Sequence, residues 1–353
     1  MELTAFGRGK LILFGEHACV YGLPAVGLPL PMETHVHLTL PSDGWDLSEV
    51  EEVYRGAIES VLSRAETAVP VTSRWPGKVT VTSSVPVATG FGSSAAVCVA
   101  FAKIFSSAPY QNLGTSHREI WELANELEKA FHGTPSGIDT GLSLSAGMRV
   151  FRGEGSIGDG QMGVNGVLPD SEEFESIPIY FVTGAVPRHA GTKELVGGVH
   201  ERVRAGETAV ITALSELGAI AEEAAAALRP AGKAGSTERP VAKQEEIDAR
   251  YENLARLTEA AQDRLSFLGL SNPQVDEIIQ TGKDNGALAG KVSGAGGGGA
   301  FFLLCPSKNA ARACLARLAK QHPQPAEAKP GRPLPDMHLW AFEWTPRGAV
   351  SLT

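Results

Sequence analysis

Apolar and polar residues alternate over residues 78–85 and again over 33–40, which predicts a half-buried strand at each place. The apolar run 11–14 predicts a short buried strand. Helical spacing holds over 48–65, with Val50, Val53, Ile58, Val61 and Leu62 on one face. Residues 97–104 are nearly all apolar and read as a buried helix. A further helix over 116–131 opens with Ser116 and Glu119 in capping-box spacing and turns Ile120, Trp121, Leu123, Ala124 and Leu127 inward. In the second half, helices are predicted from about Thr192 and over 206–227, 245–268, 275–286 and 308–321. Strands are predicted over 177–182, 301–304 and 338–344. Gly-rich residues 153–170 read as a hairpin tip or surface loop, and 229–241 and 323–335, rich in Pro and Gly, as exposed links. There is no tandem repeat.

A chain of 353 residues suggests about two domains. Hydrophobic residues make up 43% and charged residues 20%, enough for a sizeable core. The net charge of −9 gives no electrostatic reason to bind nucleic acid. An anionic substrate then requires basic residues gathered locally. Cys19, Cys98, Cys305 and Cys314 form no C-x-x-C pair and sit in apolar surroundings, so reduced thiols and a cytoplasmic location are expected. The first ten residues lack the charged-then-apolar pattern of a signal, and no apolar run approaches ~18 residues, so no membrane span is expected.

Small residues concentrate at 7–17, 86–96 and 290–300. In the second cluster, Pro86-Val87-Ala88-Thr89-Gly90-Phe91-Gly92-Ser93-Ser94-Ala95-Ala96 joins the strand at 78–85 to the helix at 97–104. A strand, a small-residue loop and a helix N-terminus form an anion site, because the backbone can come close and the first N–H groups are unpaired. The plainer reading is a tight turn with Ser93 or Ser94 as an N-cap. The stretch has neither the Lys of a P-loop nor G-x-G-x-x-G. In the third cluster Gly294-Ala295 and four further glycines lie between a helix and a strand. That is costly in backbone entropy for a mere linker and implies that something approaches closely. Taken singly, Asp139 after Gly137 reads as a turn residue, Glu128 as a solvated helix position and Lys10 as a surface residue. Taken together they supply a phosphate cradle, two carboxylates, a lysine and hydroxyls suited to Mg²⁺, which is the equipment of phosphoryl transfer.

The three clusters resemble, in order, the three motifs of the GHMP kinases: Gly9-Lys10-Leu11-Ile12-Leu13-Phe14-Gly15-Glu16-His17, then residues 86–96, then Lys291-Val292-Ser293-Gly294-Ala295-Gly296-Gly297-Gly298-Gly299. Within that family the first motif, the run His132-Gly133-Thr134-Pro135-Ser136-Gly137-Ile138-Asp139, and Val186-Pro187-Arg188 with Thr192-Lys193 look most like the branch that phosphorylates mevalonate. The resemblance implies an α+β fold of two domains, ribosomal-protein-S5-like over 1–175 and ferredoxin-like over 176–353, with the active site in the cleft. It implies ATP and Mg²⁺ as cofactors, a small-molecule substrate (mevalonate), and neither nucleic acid nor membrane as partner; a homodimer is allowed. Asp139 and Lys10 match the catalytic pair, Asp139 orienting the acceptor hydroxyl and Lys10 offsetting charge. Glu16, His17 and Thr192 match substrate-contacting positions, together with Lys10 and Asp139. Ser83 and the loop Ala88, Thr89, Gly90, Phe91, Gly92, Ser93 and Ser94 match the nucleotide contacts. Ser94 and Glu128 match the Mg²⁺ ligands. Two positions depart from the pattern: Ala88 stands where the first Gly of the second motif is usual, and Phe91 stands for Leu. If position 88 needs a positive φ, Ala there carries strain. Val97 replaces a Tyr that many animal members place near the substrate, which implies a different acceptor pocket.

Overall fold

The apolar run 11–14 is the end of a longer strand, β1 (Glu2–Phe14), which pairs antiparallel with β2 (Ala25–Thr39) from Glu2↔Thr39 to Phe14↔Val26. Both strands outrun the stretches predicted for them, because Gly7, Gly9, Pro29 and Pro31 break the apolar pattern without ending the strand. The prolines fall at an irregularity, where the register shifts between Arg8↔Glu33 and Lys10↔Pro29. A missing N–H costs little where the ladder is already interrupted. The coordinates are a computed structural model, which describes residues 1–69, 76–107, 116–132, 135–153, 155–157, 170–174, 177–188, 191–229, 244–322, 338–345 and 348–352. Most of the loop expected at 153–170 and of the links at 229–241 and 323–335 lies outside these residues.

After a 3-10 turn at Ala18–Tyr21 and strand β2 come α1 (Glu52–Ala68), β3 (Lys78–Ser83), α2 (Ser93–Phe105), α3 (His117–His132), α4 (Ile138–Leu144), β4 (Met148–Arg152) and β5 (Asp170–Phe174). The first sheet has the order β1-β2-β4-β5, with β3 also paired to β2. Helix α1 starts four residues later than the periodicity predicts. The Asp46 carboxylate accepts from the Ser48 N–H at 2.9 Å, and Arg55 donates to the Val50 carbonyl, which holds the chain in a turn up to that point. Val53, expected on the apolar face, is exposed: it lies within α1 but roughly 130° round the helix from the centre of the buried stripe Ile58, Val61, Leu62 and Ala65. The sequence predicts no element at helix α4, where Asp139 after Gly137 reads as a turn residue. The helix forms because every residue of it but Asp139 is buried, against Trp121 among others, whose ring N–H donates to the Gly137 carbonyl at 2.8 Å.

The second half contributes β6 (Ile179–Val186), α5 (Thr192–Arg204), α6 (Thr208–Leu228), α7 (Gln244–Phe267), α8 (Pro273–Asp284), β7 (Ala289–Val292), β8 (Gly299–Cys305), α9 (Lys308–Gln321), β9 (His338–Thr345) and β10 (Gly348–Ser351). Its sheet is antiparallel, in the order β10-β9-β6-β8-β7. This is the expected α+β architecture. The expected division at 175/176 falls on residues outside the described set, between the last strand of one sheet and the first of the other.

The two sheets share a core. Ile12 joins the cluster that packs under α1–α4, whereas Leu11 and Leu13 join a second cluster that runs on through α6 (Leu214, Leu217) to Val182 and Phe301 of the other sheet. Strand β1 is covered on both faces here, which is why its apolar run is continuous rather than alternating.

Candidate active site

Where the two sheets and their helices meet, a cleft of about 1830 Å³ is lined by residues from all three small-residue clusters. Lys10 lies at its base. Its backbone N–H donates to the Phe91 carbonyl at 2.8 Å, which ties β1 to the loop before α2. Its side chain is buried and its Nζ lies 2.8 Å from Asp139 Oδ1. Asp139 occupies the first turn of α4, entered through Gly137 at φ 79°. The surface reading of Lys10 and the turn reading of Asp139 both give way to a buried lysine paired with a carboxylate that remains partly open to the cleft.

The loop at 86–92 turns on three positive φ values: 62° at Ala88, 95° at Gly90 and 77° at Gly92. A Cβ on Gly92 would sit 2.7 Å from the Lys10 stem, so only glycine leaves that stem in place. Gly92 is the N-cap of α2, and no side chain caps it, so the plainer reading with Ser93 or Ser94 as N-cap does not hold. The first N–H groups of the helix face the cleft uncapped. Ala88, Gly90, Gly92, Ser93 and Ser94 line the cleft, whereas Thr89 and Phe91 turn their side chains away. Thr89 donates to the Pro86 carbonyl at 3.0 Å. Phe91 packs edge-on against Trp340 of β9 with ring centroids 5.4 Å apart, a space that a Leu would fill less completely. Ala88 does carry the strain that a positive φ implies, and a left-handed non-glycine costs about 1–2 kcal/mol. Ala88→Gly is therefore expected to raise unfolding free energy by about 0.5–1 kcal/mol after the added unfolded-state entropy of glycine is subtracted. A thermal midpoint at or below that of the parent chain would show that no such strain is stored.

Ser94 Oγ donates to Glu128 Oε1 at 3.2 Å, and His132 Nε2 lies at the same distance from the hydroxyl. Glu128 is 1% exposed, far from the solvated position that a lone helical Glu suggests. Burial first, and then the charge of Asp139, push its carboxyl up to about 8. Its Oε2 is buried with no hydrogen-bond partner, and such an atom is costly unless positive charge reaches it. A hydroxyl oxygen and a buried carboxyl that a cation would hold ionised suit Mg²⁺, which takes few protein ligands and fills its shell with phosphate oxygens and water. Among the described residues no group of three or more His, Cys, Asp and Glu side chains forms a metal site.

The first and third clusters are stitched together. Ser293 Oγ donates to the Ile12 carbonyl at 2.8 Å, and His17 Nε2 lies 3.0 Å from the Ala295 carbonyl. That partner assigns the ring proton to Nε2 and leaves Nδ1 as an acceptor. Burial lowers the His17 pKa and so keeps the ring neutral. Glu16 Oε1 accepts from Lys291 Nζ in a fully buried ion pair, and Glu16 Oε2 is buried without a hydrogen-bond partner. Lys291 also donates to the Val292 carbonyl and lies between the rings of Phe14 and Phe302. Burial lowers its pKa, against which the Glu16 charge acts.

Arg188, which the sequence reading named without giving it a role, threads under both glycine loops. A Cβ on Gly299 would fall 2.4 Å from its Nε. Its Nη1 donates to Thr192 Oγ1 at 3.2 Å, at the start of α5, and its Nε is buried without a partner. Ser83 lines the cleft, with its hydroxyl bonded to Thr34 Oγ1 and to the Val85 N–H, so it shapes the entry to the loop. Val97 also lines the cleft. Val50, Tyr54, Ala57, Ile58, Val87 and Phe131 form an apolar wall that the sequence reading did not assign to a site. Its signal was present in Val50 and Ile58, but apolar helix positions read as core. Among the described residues, no helix is long and apolar enough to cross a membrane.

A family model described as "GHMP kinases N terminal domain" matches residues 53–147, and one described as "GHMP kinases C terminal" matches 244–324. The chain is 30% identical to a mevalonate kinase of Pyrococcus furiosus, over 93% of this chain and 96% of that one. It is 26% identical to a mevalonate kinase of Thermococcus sibiricus, over 90% and 94%. Its fold matches the crystal structure of L. major mevalonate kinase in complex with R-mevalonate at a TM-score of 0.72, with 21% identity, over 97% and 95% of the two chains.

Proposed function

This chain belongs to the GHMP kinase family, and from that premise we propose that it transfers the γ-phosphoryl of ATP to the 5-hydroxyl of mevalonate. The observation that carries a transfer reaction is the Lys10–Asp139 pair, 2.8 Å apart beside the uncapped start of α2. The acceptor identity is supported by the relatives, which bear that name over nine-tenths or more of both chains.

In this reading the backbone of Ala88–Ser94 and the first turn of α2 hold the phosphates. The apolar wall with Tyr54 and Phe131 takes the base, and Ser83 holds the loop entry in shape. Glu128 and Ser94 would hold Mg²⁺, which would supply charge neutralisation on the phosphates. Asp139 accepts the proton of the acceptor hydroxyl and holds it in line with the γ-phosphate. Lys10 stabilises the resulting oxyanion and the negative charge on the transferring group. Arg188, which lines the cleft and bonds Thr192, adds positive charge to it. His17 offers Nδ1, and Glu16 its Oε2, to hydroxyls of the acceptor. The enzyme needs no membrane or nucleic acid and works on dissolved small molecules in the cytoplasm.

The direct test is a coupled ADP-release assay with mevalonate and phosphomevalonate side by side. Turnover on mevalonate well above that on phosphomevalonate is expected. The reverse preference would reassign the acceptor to a phosphorylated relative. ATP binding with no ADP from either compound would make the chain a ligand sensor built on a kinase fold.

A further inference from the structure

Glu128 and Ser94 are not the only polar groups at their corner of the cleft. His132 lies one turn beyond Glu128 on α3, with Nε2 3.2 Å from Ser94 Oγ and 3.9 Å from Glu128 Oε1. It too lines the cleft. A hydroxyl has one proton and can give it to only one of two acceptors at equal distance. Without a cation the carboxylate takes it. The buried Oε2 of Glu128, lacking any donor, marks where positive charge is missing. Once a divalent cation draws on Glu128 and on a lone pair of Ser94, a proton pointing to the same side is repelled. The O–H bond must swing away, and His132 Nε2 is the second acceptor within reach.

We propose that His132 positions the cation site: as a neutral ring protonated on Nδ1, it accepts the Ser94 hydroxyl and so turns a Ser94 lone pair onto a divalent cation. The inference rests on reading Glu128 and Ser94 as the cation pair. His132 is not itself a ligand in this account. Its effect is that of an outer partner fixing the orientation of an inner one, for which losses of about 10–100-fold in metal affinity are typical. A nitrogen acceptor also polarises the Ser94 oxygen more than water would.

The test uses Mn²⁺ as the probe, with the free ion measured by electron paramagnetic resonance during titration of the full chain, with and without ATP. His132→Ala is expected to weaken Mn²⁺ binding about 10-fold or more. His132→Gln, whose amide oxygen can take the place of Nε2, is expected to recover most of that loss. Glu128→Gln serves as the reference and should lose binding outright. If Glu128→Gln binds as the parent does, the cation reading itself falls. If Glu128→Gln loses binding while His132→Ala keeps it, this inference alone is overturned. A His132→Gln chain as weak as His132→Ala would overturn the acceptor role. Thermal midpoints of the three variants identify any that fail to fold; the His132 side chain is 44% exposed, so its replacement is expected to be tolerated.

Discussion

Asp139→Asn is expected to lower kcat by on the order of 10²- to 10⁴-fold, the range that a positioned general base contributes. Asn is close to isosteric, and its carbonyl oxygen can still accept from Lys10 Nζ, which now lies 2.8 Å from the carboxylate. What disappears is the negative charge that orients the acceptor hydroxyl and takes its proton. The loss should therefore fall on kcat, with the KM for ATP little changed, since the proposed mechanism puts the phosphates on the loop Ala88–Ser94 and the start of α2, away from Asp139. The Asp139 side chain is 33% exposed, so the variant should fold and melt near the parent. Near-normal turnover in a well-folded Asp139→Asn chain would remove this residue from the mechanism. An equal fall in activity with a collapsed melting curve would mean that the pair is structural.

Lys291→Met is expected to destabilise the chain by about 3–5 kcal/mol, the typical cost of removing one partner of a buried ion pair. Both side chains of the Lys291–Glu16 pair are 0% exposed. Methionine can fill the space between Phe14 and Phe302, so the penalty comes from charge rather than volume. Glu16 would be left as a buried carboxylate with neither oxygen paired. The double variant Glu16→Gln/Lys291→Met removes that charge and should recover much of the loss, because replacing both members of such a pair is often close to neutral. Urea unfolding of the single and double variants measures both. A single variant as stable as the parent would show that water or another cation already satisfies Glu16.

Much of this site could be read from residue order, and little of its burial could. Lys10, Ser94 and Asp139 stand in stretches that resemble GHMP kinase motifs, Glu128 lies on the helix before one of them, and the structure brings all four to one cleft. Yet each of Lys10 and Glu128 is, by residue type, most at home in water, and only the packing of α2, α3 and β1 encloses them. Arg188 and Lys291 gave no local signal of what they meet, because the glycine loops around Arg188 and the Glu16 carboxylate beside Lys291 lie far away in the sequence. His132 sits at a helix end, where a histidine is unremarked. The fold shows the same division. Periodicity finds the surface-facing helices, but α4 is made helical by its enclosure under Trp121 and not by propensity. Strands β1 and β2 run through glycines and prolines because a two-sided core holds them. Val53 shows the opposite error, an apolar residue counted with the buried stripe although it lies on another side of the same helix.

The contacts that close the site span nearly the whole chain. Glu16 to Lys291, His17 to Ala295 and Ile12 to Ser293 join residues 275, 278 and 281 positions apart. During synthesis, at about 5–20 residues per second, the first motif waits roughly 15–60 s before its partners are made. The phosphate loop and the Lys10–Asp139 pair are all encoded in the first 139 residues, and they emerge early. Through that interval Glu16 has no lysine to neutralise it, and the third glycine loop does not yet exist. The cleft lined by all three small-residue clusters is therefore complete only once residues 291–299 have been made.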